Sequence, residues 1–300
     1  MQPIVSAIIT THNRSSLLRR AIDSVLNQTY QHIECIVVDD KSTDDTKNVC
    51  KKYPSIQYIY IPPEESKGGN YARNKGILAS KGKYVAFLDD DDYWLPEKTE
   101  LQVQLIEKNV CDLVYCGRRL EIVSDNGIVY EDQIPSSNCT GDIHRKILQE
   151  MFATTSCILF NRQRLLSIGM FDEKLNYWQD YELEIRLAQF NSFYCNCEPL
   201  VVYRCDKNDR QRLTNKYFEW KKAVKYIRQK HQRLYRQQSF IEKVRTWQMT
   251  TYDAINRGKA SGMHFRPICL SILLFISQIP RKTRKMISLL HHNRRVFQKK

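Results

Sequence analysis

Four consecutive aspartates, Asp89, Asp90, Asp91 and Asp92, follow the apolar run Tyr84–Leu88. An unbroken apolar run of that length, entered through Gly82 and Lys83, predicts a buried strand of an α/β sheet. Four carboxylates at its carboxyl end would repel one another in a partly desolvated crevice. A divalent cation would neutralise them, and hard oxygen ligands suit Mg²⁺ or Mn²⁺. The space beyond the ends of parallel strands is also where α/β proteins place their ligands. A solvated acidic turn capping a helix that begins near Pro96 is the plainer reading of the same residues.

Two more strand ends point the same way. The run Ile33–Val38 leads into Asp39 and Asp40, and then into Lys41, Ser42, Thr43, Asp44 and Asp45. Ser42 or Thr43 would cap a helix, with Asp44 and Asp45 in its first turn where the macrodipole favours acids. Asp39 and Asp40 precede that cap, so capping does not account for them. The first run, Ile4–Thr10, ends in Thr11, His12, Asn13 and Arg14 before a helix with apolar residues at Leu17, Leu18, Ala21, Ile22, Val25 and Leu26. Three strand ends therefore bring polar or acidic side chains to one edge. Gly68 and Gly69 stand before another predicted helix, where glycine permits positive φ and lets amides and Arg73 face an anion. A flexible loop with a solvated Arg73 competes with that reading. No Gly-Lys-Ser/Thr follows, which excludes a P-loop.

The elements that must hold these residues alternate. Strands near Ile4–Thr10, Glu34–Val38, Gln57–Ile61 and Tyr84–Leu88, with helices between them, give the rhythm of a doubly wound sheet. Further strands are expected at Asp112–Gly117, Thr155–Phe160 and Pro199–Arg204. A hairpin joins Arg119–Ser124 to Ile128–Glu131 around Asp125-Asn126-Gly127. Helices are expected near Asp142–Met151 and Asp180–Phe190, and the stretch from about Thr214 to Asn256 is helical throughout.

Composition sets bounds. Three hundred residues suffice for one sizeable α/β domain with appendages. The ten cysteines show no paired zinc spacing, and thiols such as Cys35, Cys116 and Cys157 on predicted strands suit a reducing compartment. The start of the chain enters a strand without a basic, then apolar, leader, so a cytoplasmic location is expected. The net charge of +14 is concentrated: from Ala254 to Lys300 there is no acidic residue. Within that tail, the uncharged segment Pro267–Pro280 is shorter than the roughly 20 residues of a membrane span. Beside the polybasic Arg281–Lys285 it predicts docking on an anionic membrane, with a buried core helix as the other reading.

Five blocks in order, Val5–Asn13, Leu26–Tyr30, Val37–Thr46, Gly68–Gly76 and Phe87–Pro96, resemble the signature of the family-two glycosyltransferases. The resemblance extends over roughly the first two hundred residues. It implies the GT-A fold, a mixed doubly wound sheet. Residues 1–110 would form a nucleotide-sugar-binding half, and residues 111–214 an acceptor-binding half with the catalytic base. A helical extension at 215–260 and the membrane-associating basic tail at 261–300 would follow. The activity implied is inverting transfer of a hexose or N-acetylhexosamine from a UDP-sugar to a hydroxyl of a saccharide or lipid-linked acceptor. Such enzymes commonly build bacterial surface polysaccharides, lipopolysaccharide or capsule.

By the same resemblance the donor base lies near Thr10, His12, Asn13 and Asp40, with Asp40 accepting from the uracil imino group. Gly69 belongs to the donor site, Arg73 contacts base or phosphate, and Asn74 is structural. Asp90 lies near the ribose, and Asp91 ligates Mn²⁺ or Mg²⁺ with Asp89 completing the DXD pattern. Asp180 is the general base, preceded by Gln179 where the family has glutamate. It is also placed to be the N-cap of its helix. Trp178 is either a platform for donor or acceptor sugar or a core aromatic. Arg210 or Arg212 would belong to a lid over the diphosphate, or else to a solvated linker.

Two rival functions fit less well. A sugar nucleotidyltransferase needs a glycine-rich loop after the first strand, and Thr11–Arg14 has no glycine. A nucleic-acid-binding protein suits the basic tail, yet the acidic strand ends would repel a phosphate backbone, so no nucleic-acid partner is expected.

Overall fold

A computed structural model describes residues 2–135, 140–209, 216–263, 268–271 and 273. The first half is a parallel sheet. Strands β1 (Val5–Thr11), β2 (Ile33–Asp40), β3 (Gln57–Ile61) and β4 (Tyr84–Asp89) lie in the order β3-β2-β1-β4. Helices α1 (Ser15–Leu26), α2 (Thr46–Lys51) and α3 (Gly69–Ala79) connect them.

Alternation along β1 decides which face each helix covers. Val5, Ala7 and Ile9 share a core with Leu18, Ala21, Ile22 and Val25 of α1, whereas Ile8 packs with Ala72 and Ile77 of α3. Helix α3 lies so close to β1 that a Cβ on Gly76 would come within 2.5 Å of Ile8 Cγ2.

Beyond β4 the sheet turns mixed. In chain order come the short β5 (Tyr93–Trp94), helix α4 (Lys98–Asn109), the long β6 (Leu113–Ser124) and its hairpin partner β7 (Gly127–Gln133). Next are β8 (Ile158–Asn161), helices α5 (Arg162–Ser167) and α6 (Gln179–Leu187), and β9 (Phe193–Asp206). Strand β8 is antiparallel to both β4 and β6, β9 runs parallel to β6, and β5 pairs antiparallel with β9. One nine-stranded sheet thus runs through both parts of the chain. Helices α7 (Tyr217–Lys230), α8 (Gln232–Gln237) and α9 (Phe240–Ala260) complete the described chain. Ser239 and Glu242 form a capping box at the start of α9.

Several expectations change. Asp112–Gly117 and Arg119–Ser124 belong to one strand, β6, whose register with β9 shifts on either side of Gly117. A Cβ at Gly117 would meet the Glu198 carbonyl at 2.9 Å and the Gln133 carbonyl at 3.0 Å, so the glycine serves close strand passage, not a break. Asp142–Met151 is not helical: hydrogen-bonded turns run from His144 to Gln149, burying Ile143, Ile147 and Leu148. Helix α2 starts later than Ser42 or Thr43 would set it. Asp44 stands outside it, accepting from the Thr46 amide (3.1 Å) and hydroxyl (2.6 Å) and from the Ser15 amide (2.9 Å). Against the burial that would raise it, those bonds hold the Asp44 carboxyl down at about 2.

Among the described residues no helix is long and apolar enough to cross a membrane. Most of the basic tail, including Arg281–Lys285, lies outside the described residues.

Candidate active site

The carboxyl ends of β1, β2 and β4 meet at one edge, Thr10 pairing in register with Val38 and Asp89. The loops leaving β1 and β2 are held in unusual conformations and locked together. Asn13 (φ +53°) and Lys41 (φ +57°) both occupy the left-handed region. The Asn13 side-chain oxygen accepts from the Thr43 amide (2.7 Å), and the Asn13 amide donates to Ser42 Oγ (2.8 Å). His12 Nδ1 donates to the Asp40 carbonyl (2.6 Å). Asp40 is buried, and its Oδ1 has no hydrogen-bond partner in the protein. A buried acceptor left so costs about 1–3 kcal/mol, which a ligand N–H would recover.

The four aspartates after β4 separate instead of converging. Asp89 accepts from Arg73 Nη2 at 2.7 Å. Arg14 Nη1 bridges Asp90 (3.1 Å) and Asp91 (3.0 Å), and Asp209 lies 3.6 Å from the same guanidinium. Asp92 is buried, accepting from Ser156 Oγ (2.7 Å) and from the Arg204 amide (3.1 Å). Burial pushes Asp90 up to about 7 in spite of Arg14, and it pushes Asp92 well above the usual carboxylate range. Part of the repulsion that suggested a cation is therefore offset inside the chain, by Arg14 and Arg73. Among the described residues no group of three or more His, Cys, Asp or Glu converges to hold a metal. Asp89 and Asp91 remain partly exposed, with side chains at 35% and 29%. That donor set fits a cation that takes one or two carboxylates and completes its shell with phosphate oxygens and water, as Mg²⁺ does.

Asp180 comes to the same place from the other half. It is the second residue of α6, and not its N-cap; Trp178 holds the cap position, at φ +54°, without a side-chain cap. Asp180 Oδ1 accepts from the Tyr181 amide (2.9 Å). Burial raises its carboxyl above the ordinary value, the Tyr181 amide and Arg73 oppose the shift, and the charge of Asp89 adds to it. Arg73 therefore pairs with Asp89 and also exerts its charge on Asp180.

Arg73 is itself held. Its Nη1 donates to Asn70 Oδ1 (3.3 Å), and its guanidinium lies 5.7 Å from the Phe171 ring centroid. Asn70 donates on to the Leu175 carbonyl (2.6 Å), and Asn74 exchanges two bonds of 3.0 Å with the Phe171 backbone. These amides clip α3 to the loop that delivers α6. Gly69 leaves room for the arginine, since a Cβ there would sit 3.3 Å from Arg73 Nη1.

The remaining expectations divide. Trp178 presents no ring to the cleft: it is buried, edge-to-face with Tyr181 (5.0 Å) and Trp220 (5.5 Å), and its Nε1 donates to Asp253 (2.9 Å). The sugar-platform reading gives way to the core reading, because aromatic neighbours occupy its surroundings. Gln179 is half-buried at the start of α6. Arg210 and Arg212 lie outside the described residues. Sequence reasoning missed Ser156, which donates to Asp92 and accepts from the Asp89 amide (3.2 Å), and whose neighbours carry no local signal. It also missed Glu184, buried on α6 and raised well above its ordinary value by burial and by Asp180. The i, i+4 spacing from Asp180 could have revealed it.

The profile of Glycosyl transferase family 2 matches residues 6–168. An uncharacterized glycosyltransferase of Rickettsia prowazekii is 36% identical over 207 residues, which make up 67% of this chain and 64% of the relative. The chain thus spans a little under two thirds of that protein. In Escherichia coli, the UDP-Glc:alpha-D-GlcNAc-diphosphoundecaprenol beta-1,3-glucosyltransferase WfaP is 40% identical over 118 residues, 39% of this chain and 47% of WfaP. S. aureus TarS 1–349, crystallised in complex with UDP-GlcNAc, superimposes with a TM-score of 0.61 over 85% of this chain and 73% of its own. At 17% identity that likeness is one of fold. With its signature blocks on the strand ends of a GT-A sheet and the profile covering more than half of its length, this chain belongs to glycosyl transferase family 2.

Proposed function

We propose that the chain is an inverting glycosyltransferase that moves a sugar from a UDP-sugar to a hydroxyl of a saccharide or lipid-linked acceptor in bacterial surface polysaccharide synthesis. The observation that carries this reading is Arg73 acting on Asp89 from one half of the sheet and on Asp180 from the other. The guanidinium thus pairs with a carboxylate of the candidate donor site and exerts its charge on the candidate base.

The geometry supports the following roles. Asp40 Oδ1, buried and without a partner, suits the imino N–H of uracil, with Thr10, His12 and Asn13 framing the base. Asp90, buried beside Arg14, would lie toward the ribose. Asp91 and Asp89 would hold Mg²⁺ or Mn²⁺, which when bound supplies positive charge against the diphosphate leaving group. Asp180 accepts the proton of the acceptor hydroxyl as that oxygen bonds to the anomeric carbon. The bond from that carbon to the diphosphate breaks in the same displacement, and its electron pair leaves with UDP. A carboxylate made more basic by burial is better matched to this proton transfer than an ordinary one. One displacement inverts the centre, so no carboxylate nucleophile is required.

The pathway rests on the relatives. The name of the E. coli enzyme describes a UDP-sugar donor and a lipid diphosphate acceptor, which supports a similar acceptor class for this chain. A cytoplasmic enzyme held at the inner membrane face by its basic tail would meet such an acceptor. UDP release measured with and without Mn²⁺ across a panel of UDP-sugars tests the proposal. Metal-stimulated release from one UDP-sugar is expected; no release from any of them in the presence of metal would sink it.

A further inference from the structure

Helices α7, α8 and α9 border a shallow cavity of about 600 Å³, lined by nine residues of which five are cationic. Lys221, Lys225, Arg228, Arg236 and Lys243 line it, with Tyr235 beneath them. The surrounding helices offer little to neutralise this charge. From Lys216 to Ala260, twelve Lys and Arg stand against three acids, Glu219, Glu242 and Asp253. Each acid is engaged elsewhere. Glu219 pairs with Lys222 (2.8 Å), Glu242 accepts from the Ser239 amide (2.7 Å), and Asp253 accepts from Arg257 and Trp178 (both 2.9 Å). Among the described residues Lys221, Lys225, Arg236 and Lys243 form no ion pair, and Arg228 donates only to Thr250 Oγ1 (3.2 Å). Crowded like charges repel unless an anion comes from outside.

The same helix faces carry exposed aromatic rings. Phe218 lies three residues before Lys221 on α7 and is 61% exposed. On α9, Phe240 and Trp247 stand three before and four after Lys243, with exposures of 81% and 37%. Spacings of three and four put each ring on the face of its neighbouring lysine. Thr250, which accepts from Arg228, continues that line on α9 toward α7. Apolar rings projecting into solvent beside uncompensated cations suit the headgroup boundary of an anionic membrane, where the ring enters and the cation meets phosphate. Nucleic acid would favour cations and stacking rings too. The aliphatic Ile241, 62% exposed beside Phe240, gives nothing to stacking and favours lipid.

We propose that the basic cavity of α7–α9 and its rim of Phe218, Phe240 and Trp247 form a docking surface for the anionic phosphates of a membrane leaflet, independent of the tail beyond Ala260. This surface would hold the body of the enzyme itself against the bilayer, whatever the tail contributes.

Flotation of the full chain with phosphatidylglycerol-containing vesicles, and with phosphatidylcholine vesicles alone, tests this directly. The wild type should float with the anionic vesicles and lose them at high salt. With the tail intact, Lys221→Glu/Lys225→Glu/Lys243→Glu should bind them about tenfold less or weaker still. Lys221→Gln/Lys225→Gln/Lys243→Gln, which adds no repulsion, should show an intermediate loss. Phe218→Ser/Phe240→Ser should weaken binding without removing its salt dependence. Wild-type flotation by both triple variants would assign membrane contact to the tail and overturn the proposal. So would tighter binding to a single-stranded oligonucleotide than to the vesicles, if the charge reversals abolished it.

Discussion

At the strand ends Arg14 holds Asp90 together with Asp91, and Arg73 holds Asp89. Removing a carboxylate there should therefore leave the fold intact. Asp91→Asn should retain the wild-type thermal midpoint while abolishing transfer and metal-dependent UDP binding. An active, metal-independent variant would remove the proposed mechanism. Asp180→Asn separates base from binding: calorimetry should show an unchanged affinity for UDP-sugar while turnover falls by about 10²–10⁴-fold. The raised value of Asp180 carries a sign. The ionised form is the active one, so kcat should climb as pH rises through a value above that of an ordinary aspartate and level off beyond it. A profile already flat from pH 4 upward would deny Asp180 that role. The types of these residues were legible in the sequence because runs of acid after apolar strands are local patterns. Their partners were not, since Arg14–Asp91 and Ser156–Asp92 join positions far apart in the chain.

Strands of the parallel half were legible almost to the residue, because strands buried on both faces read as short, continuous apolar runs bounded by polar residues. Elements beyond Cys111 were less so: Gly117 reads as a break yet serves close packing inside β6, and Asp142–Met151 has helical composition without a helix. Helix α6 illustrates what only tertiary contact supplies. Glu182, two residues after Asp180, is buried and takes Arg186 Nη2 (2.8 Å), Lys230 Nζ (2.8 Å) and His231 Nε2 (2.9 Å). Against the burial that would raise it, hydrogen bonds from His231, Arg186 and Lys230 hold its carboxyl at about 2, below the ordinary 4.5. A depressed folded value stabilises the protein fully above about pH 4.5, and that contribution is lost as pH falls toward 2. Urea midpoints measured between pH 5 and pH 3 should therefore fall. Glu182→Gln should start lower at pH 5 and show a shallower fall, and a parallel fall in both proteins would refute the linkage.

At the scale of the molecule, the helical extension is not an appendage. Tyr217, Trp220 and Ile227 of α7 and Ala254 of α9 share one core with Phe87 of β4, Tyr115 of β6 and Tyr181 of α6. Trp220→Ala should cost about 3–5 kcal/mol, measured by chemical denaturation, as for other buried aromatics. A loss below 1 kcal/mol would mean that the extension and the sheet stand apart. Helical composition made α7–α9 legible as helices, but their place against α6 depends on aromatic contacts such as Trp178–Trp220 that no local pattern encodes.

Gly76 leaves α3 no clearance above β1, and Arg73 stands one turn earlier on that helix. The reach of Arg73 toward Asp89 and Asp180 is thus gauged by a spot of bare backbone remote from any substrate. A single added methyl there would wedge the helix off the sheet and tilt the arginine out of register with both carboxylates. Gly76→Ala should accordingly behave like damage at the active site, weakening UDP binding as Arg73→Gln should. Shaving Ile8 to alanine in the same chain should restore part of the loss, so tolerance at these two positions is shared and neither can drift without the other.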